Sequence, residues 1–161
     1  MGTESSPDGD GVRIERAGPE ALEELVPLFD AYRQFYGRPA DLPAAREFLG
    51  SRLRAGESVV FLALERARGV GFAQLYPLFS STQLGRLWLL NDLYVAAAAR
   101  RHGIGGRLLG RCQQFAIDSG AVGILLETAV DNPAQHLYEA HGWTVDREFR
   151  HYEWHRPGVR G

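Results

Sequence analysis

The stretch Asn91 to Gly106, NDLYVAAAARRHGIGG, gathers the residues best suited to hold a phosphate. Its apolar run ends near Val95, a small-residue link follows, and Arg100, Gly103, Gly105 and Gly106 crowd the predicted start of a helix. The first backbone N–H groups of a helix lack internal partners, and the peptide dipoles leave partial positive charge at that end. Glycines at 103, 105 and 106 would let a pyrophosphate approach those N–H groups, while Arg100, Arg101 and Arg107 can add charge-assisted contacts. A dinucleotide fingerprint would need glycine where Leu108 stands, and a nucleoside-triphosphatase loop would need a Gly-Lys-Ser/Thr ending that is absent. A tight strand-to-helix turn accounts for an isolated Gly-x-Gly. Three glycines beside three arginines point instead to a phosphate cradle.

The rest of the chain must position that cradle. At 161 residues, 45% hydrophobic and 24% charged, it has the composition of one ordinary globular domain. We place this domain at residues 11–156, with a polar, disordered tail over 1–10 and a short tail over 157–161. Eighteen basic against twenty acidic residues give a net charge of -2, which argues against a nucleic-acid partner. The single cysteine, Cys112, allows no internal disulfide and suits a reducing compartment. No apolar run nears the roughly eighteen residues that span a bilayer, and no targeting signal opens the chain, so the expectation is a cytoplasmic protein without a membrane partner.

Alternation over Val12 to Arg16 predicts a first strand. Leu22, Leu25, Leu28, Phe29, Tyr32 and Tyr36 then recur at helical spacing, with Pro27 expected to kink or divide the helix. A second helix is predicted from Asp41, as its cap, to Leu53. Ser58 to Glu65, Val70 to Phe79 and Leu84 to Val95 read as an antiparallel meander. Ile104, Leu108, Cys112 and Ala116 form the core stripe of a central helix that stops at Gly120. Val122 to Thr128 follows as a buried strand, Pro133 to Ala140 as a helix, and Trp143 to Trp154 as a closing hairpin. The sum is a mixed α/β sandwich.

Arg100-Arg101-His102-Gly103-Ile104-Gly105 resembles the Arg/Gln-x-x-Gly-x-Gly/Ala signature of the GNAT superfamily of N-acetyltransferases, and the order of elements matches that family from about Val12 to Trp154. The resemblance implies a mostly antiparallel sheet of about seven strands flanked by about four helices, with parallel pairing between the fourth and fifth strands. It implies transfer of the acetyl group of acetyl-CoA directly to a primary amine. The coenzyme would be held by Leu93, Tyr94 and Val95, by Arg100, Arg101, His102, Gly103, Ile104, Gly105, Gly106 and Arg107, and by Asn132 and Tyr138. GFAQLYPLFSS, LNDLYV and ETAVDN are similar to a branch with fungal histone, polyamine and D-amino-acid acetyltransferases, which favours a small amine acceptor such as a polyamine or amino acid. Homodimers are common among such relatives.

Asn132 before Pro133, with Gln135 three residues after Asn132, is also a helix-capping arrangement. Tyr138, in Leu-Tyr-Glu-x-x-Gly-Trp, matches the family tyrosine beside the thioester sulfur, where a phenol can protonate the departing thiolate. The resemblance implies that the strands of Asp92 and Glu127 converge on the thioester, so either carboxylate could take the amine proton. A surface or hydrogen-bonded role for Asp92 and an arginine salt bridge for Glu127 are the alternatives. Alternation puts Asp92 and Tyr94 on one face of their strand and Asn91, Leu93 and Val95 on the other, without saying which face meets the cleft. The Val95 N–H is a candidate to polarise the thioester carbonyl. Cys112 falls on an apolar stripe, which argues against an acyl-enzyme. The five histidines lack the clustering of a zinc site. Asp30, Tyr32, Phe35, Tyr36, Phe149 and Tyr152 are candidate walls for the acceptor. The alternatives are a silent acyl-CoA sensor, or an enzyme acting on a protein amine.

Overall fold

Helices of fourteen and fifteen residues join strands whose apolar runs are too continuous for a solvated sheet, and the result is a sheet covered on both faces. The structure is a computed structural model that describes residues 11–159; the expected tail over 1–10 and the last part of the C-terminal tail, 160–161, lie outside the described residues. In chain order the elements are β1 (Val12–Ala17), a 3-10 turn (Pro19–Ala21), α1 (Leu22–Phe35), α2 (Leu42–Ala55), β2 (Val59–Glu65), β3 (Arg68–Ser80), β4 (Gly85–Val95), a second 3-10 turn (Ala97–Ala99), α3 (Ile104–Asp118), β5 (Gly123–Leu125) and α4 (Gln135–Ala140). No helix among the described residues is long and apolar enough to cross a membrane.

The strands lie in sequence order, β1-β2-β3-β4-β5, antiparallel except for the parallel β4–β5 pair. β2 explains the layering. Val59, Phe61 and Ala63 point into a core shared with Leu108, Leu109, Cys112 and Ala116 of α3. Val60, Leu62 and Leu64 point the other way, into a core shared with Leu25, Val26, Phe29, Ala45 and Leu49 of α1 and α2. Phe61 and Phe72 are fully buried, one in each core, and each contributes about 1.5–3 kcal/mol by leaving water.

Two irregularities matter later. β3 and β4 slip register where Gln74 faces Asp92 and Leu75 faces Leu90, so Asn91 is an extra, bulged residue. Leu90 packs on the α3 side, and without the bulge Asp92 and Tyr94 would follow it there; with it, Tyr94 joins the core on the α1–α2 side. The parallel β4–β5 ladder, in turn, spans only Leu87↔Gly123 to Leu89↔Leu125.

Three expectations need correction. Pro27 does not divide α1: its ring removes a bond to the Glu23 carbonyl, but both residues are exposed, so water replaces that bond. The predicted strand over Val122 to Thr128 shrinks to Gly123–Leu125. The expected closing hairpin over Trp143 to Trp154 forms no ladder among the described residues, so the sheet has five strands rather than seven. Alternation in that segment sets which faces it would present, not that a partner lies within reach. Val145, Phe149, Tyr152 and Trp154 stay exposed along it.

The second helix begins as expected. Asp41 accepts a hydrogen bond from the Ala44 N–H at 3.0 Å, and Gly56, at φ 65°, closes the far end in the left-handed conformation. Asp41→Ala should lower the unfolding free energy by about 1 kcal/mol in urea denaturation with an unchanged m-value. A loss within error of zero would mean that packing alone starts α2.

Candidate active site

β4 and β5 part after Leu89 and Leu125, leaving the C-terminal half of β4 without a neighbour on that side. The gap opens a cleft of about 410 Å³, walled by Leu93, Tyr94 and Val95 on one side and by Asn132, Leu137 and Tyr138 on the other, with Arg100, Arg101 and Gly103 to Gly106 at its end. Phe35 and Tyr36 of α1 border it as well. Ala96 donates its N–H to Val70 of β3 at 2.9 Å. Strand alternation therefore turns the Val95 N–H away from β3 and into the gap. The Val95 carbonyl, pointing the same way, accepts from Arg100 Nε at 2.9 Å.

At the end of the cleft the chain makes the turn that starts α3. Arg101 and Gly103 both adopt left-handed backbone, at φ 67° and 73°. The first helical bond runs from the Arg107 N–H to the Gly103 carbonyl at 3.1 Å, so the N–H groups of Ile104, Gly105 and Gly106 have no helical partner. The glycines serve different ends. A side chain at 103 would meet no neighbour but would be strained in that conformation. One at 106 would press to 3.0 Å on the His141 ring, and one at 105 would touch Leu137 at 3.4 Å. Gly105 and Gly106 thus let α4 lie against the start of α3, a role the sequence does not announce.

Tyr138 and Asn132 sit on the opposite wall. Asn132 Oδ1 accepts from the Ala134 N–H and its Nδ2 donates to Thr128 Oγ1, both at 2.9 Å. Gln135 Nε2 reaches back to the carbonyls of Val130, at 2.7 Å, and Asn132, at 3.1 Å. These bonds fix the turn that presents Tyr138. Burial, then the nearby Tyr36 phenol, push the Tyr138 pKa up, and a hydrogen bond with Thr128 opposes them. Its hydroxyl therefore keeps its proton at neutral pH and can donate it.

A second cleft, of about 430 Å³, lies between α1, α2 and β4. It shares Tyr32 and Tyr36 with the first, so the two meet across this pair, whose rings are 5.0 Å apart. Asp92 lines it and is 3% exposed. Gln74 Nε2 and Asn91 Nδ2 donate to its two oxygens at 2.5 and 2.9 Å. Burial raises the Asp92 pKa, and the hydrogen bonds from Gln74, Asn91 and Tyr32 only partly offset it. The Tyr32 hydroxyl itself points its proton at the neighbouring Asn91 carbonyl at 3.1 Å. Desolvation and the neighbouring Asp92 push the Tyr32 and Tyr76 phenols upward in turn.

Other expected site residues fall elsewhere. Glu127 is exposed and pairs with His151 at 3.2 Å, outside both clefts. Phe149 and Tyr152 lie on the exposed C-terminal segment. Arg107 donates to the Val12 carbonyl at 2.7 Å, and the His102 ring turns back to the Ala99 carbonyl at 3.3 Å; neither lines a cleft. Asp30 is buried but used internally, holding Arg33, Gln34 and the Asp41 N–H. Phe35 borders the first cleft rather than the second. Cys112 is fully buried in the α3 core, where burial pushes its thiol up to about 12. Sequence reasoning passed over Phe29, Arg33, Arg38, Phe48 and Tyr76 of the second cleft. It also passed over Gln74, whose polar side chain inside an apolar strand was the available signal.

Residues 56–145, more than half of the chain, match the model of the acetyltransferase (GNAT) domain family. The chain belongs to that family and is an acetyltransferase of the GNAT type, a family that uses acetyl-CoA. It is 42% identical to an uncharacterized N-acetyltransferase, YhfO, of Bacillus subtilis (strain 168), over 88% of this chain and 95% of that protein. It is 32% identical to a probable acetyltransferase of Haemophilus influenzae, over 88% of this chain and 97% of that one. A crystal structure of a probable acetyltransferase superposes with a TM-score of 0.86 at 45% identity, covering 91% of this chain and 99% of that chain.

The buried carboxyl has a consequence for stability. A folded pKa above the unfolded value means that the Asp92 contribution is complete below the ordinary carboxylate pKa, about 4, and is lost as pH rises through the raised one. Relative to Asp92→Asn, the wild type should therefore weaken steadily as pH rises over that interval and then run parallel to it. Urea unfolding of both proteins across pH reads this directly. A constant difference at every pH would mean that Asp92 titrates normally.

Proposed function

We propose that the chain transfers the acetyl group of acetyl-CoA directly to a small primary amine, with the donor in the first cleft and the acceptor in the second. The observation that carries the proposal is the meeting of the two clefts at Tyr32 and Tyr36, with Asp92 on one side and Tyr138 on the other. The residues present suit the donor. The partnerless N–H groups of Ile104, Gly105 and Gly106, with Arg100 and Arg101, would hold its pyrophosphate. Leu93 to Val95 and Asn132 would flank its pantetheine arm. A predicted acetyltransferase from Clostridium acetobutylicum with this fold, at a TM-score of 0.72, has a crystal structure with acetyl-CoA, which supports the assignment.

Acetyl-CoA supplies an activated thioester, and the chain supplies proton transfers and a fixed dipole. Asp92 takes a proton from the incoming ammonium, directly or through one water, so that the nitrogen can attack. Its raised pKa brings it closer to the working pH than an ordinary carboxylate would be. The Val95 N–H stabilises the negative charge that develops on the carbonyl oxygen. As the new N–C bond forms and the C–S bond breaks, Tyr138 gives its proton to the sulfur, and the remaining extra proton on the acylated nitrogen passes through water back to the Tyr138 phenolate. A buried thiol with a raised pKa makes Cys112 a poor nucleophile, which supports direct transfer over a cysteinyl intermediate.

Tyr138→Phe should lower kcat about 10²-fold, the usual scale for a lost proton donor, with a far smaller change in acetyl-CoA affinity. Free-thiol release in the presence of an accepted amine measures the first and calorimetry the second. An unchanged kcat would remove Tyr138 from the chemistry.

A further inference from the structure

The second cleft is lined by groups of both charges. Asp92 lines it with a carboxyl that is 3% exposed. Two guanidinium groups line it as well, those of Arg33 and Arg38, and they are not equivalent. Arg33 is held by Asp30 at 3.2 Å and by the Pro39 carbonyl at 3.4 Å, so its charge is spent within the fold. Arg52, whose charge reaches Tyr76, is paired with Glu57. Arg38 lines the cleft and is exposed, and its side chain has no hydrogen bond or ion pair among the described residues. The rest of the lining includes the apolar surfaces of Phe29, Phe48 and the ring of Tyr76.

Resting on the functional reading above, we propose that the acceptor is an amino carboxylate: an apolar amino acid whose ammonium reaches Asp92 and whose carboxylate pairs with Arg38. A carboxylate recognises an ammonium, and a planar, uncommitted guanidinium recognises a carboxylate, bidentately where the geometry allows. The same Arg38 opposes a polyamine, whose second ammonium would face an uncompensated positive charge. In the reaction the ammonium loses one proton to Asp92, and the nitrogen gains the acetyl group as Tyr138 protonates the departing sulfur. The second proton leaves the acylated nitrogen through water to restore the Tyr138 phenol, and the carboxylate of the acceptor is unchanged.

Matched acceptors test this: phenylalanine against phenethylamine, leucine against 3-methylbutylamine, and 1,4-diaminobutane, each with saturating acetyl-CoA. The amino acids should exceed their decarboxylated counterparts at least tenfold in kcat/KM, with the diamine weakest. In Arg38→Gln that ratio should collapse toward unity through a raised KM for the amino acids. Arg38→Lys, which keeps the charge, should preserve part of it and controls for folding along with a thermal melt. A ratio near unity in the wild type, a preference for the diamine, or a preference indifferent to position 38 would overturn the amino-carboxylate assignment alone. Acetyl-CoA binding without acetylation of any of these amines would overturn the small-amine reading, and this assignment with it.

Discussion

The site depends on the separation of two neighbouring parallel strands. β4 and β5 keep company for three residue pairs and then diverge, so β4 runs on to Val95 with one edge unclaimed. An unclaimed edge inside a protein is costly unless something fills it. Here Arg100 takes the Val95 carbonyl, while the Val95 N–H is left facing the cleft. The left-handed turn through Arg101 and Gly103 brings the start of α3 to the same opening, and α4 closes it from the far side. Had the two strands stayed paired, the cleft and the free Val95 N–H that faces it would not exist.

The bulge at Asn91 performs a second, separable task. One extra residue reverses which face the end of β4 presents, carrying Asp92 and Tyr94 to the α1–α2 side and Leu93 and Val95 to the α3 side. The strand thereby serves a different cleft on each face. Tyr32 and Tyr36 form the partition, braced by the rings of Phe29, Phe72 and Tyr94. Burial within this aromatic wall is what raises the Asp92 pKa, so packing and proton chemistry share one cause.

Much of this was legible in the residues. Helical spacing in Leu22 to Tyr36 and in Ile104 to Ala116 placed α1 and α3, Asp41 marked the start of α2, and the arginine-glycine cluster marked the turn into α3. Pairing between distant segments was not legible. Alternation over Trp143 to Trp154 is real, but no strand lies beside it among the described residues, so a predicted hairpin is an exposed extended segment. Glu127 looked catalytic because of its neighbours in sequence, and its strand ended two residues too early to carry it to the cleft. Gly105 and Gly106 looked like phosphate contacts, yet their lack of a side chain also answers to Leu137 and His141 across a helix contact. The bulge left no sequence signal beyond a polar pair, Asn91 and Asp92, inside an apolar strand.

The most direct measurement is a calorimetric titration of acetyl-CoA into the wild type and into Gly103→Val. A β-branched residue is strongly disfavoured at the φ of 73° found at position 103, although its side chain would meet no neighbour, so the substitution should disturb the turn and spare the core. One donor site per chain in the wild type, weakened at least tenfold in a variant that still unfolds cooperatively, is the result expected if that turn presents the donor-binding N–H groups. Equal affinity in the two proteins would contradict it.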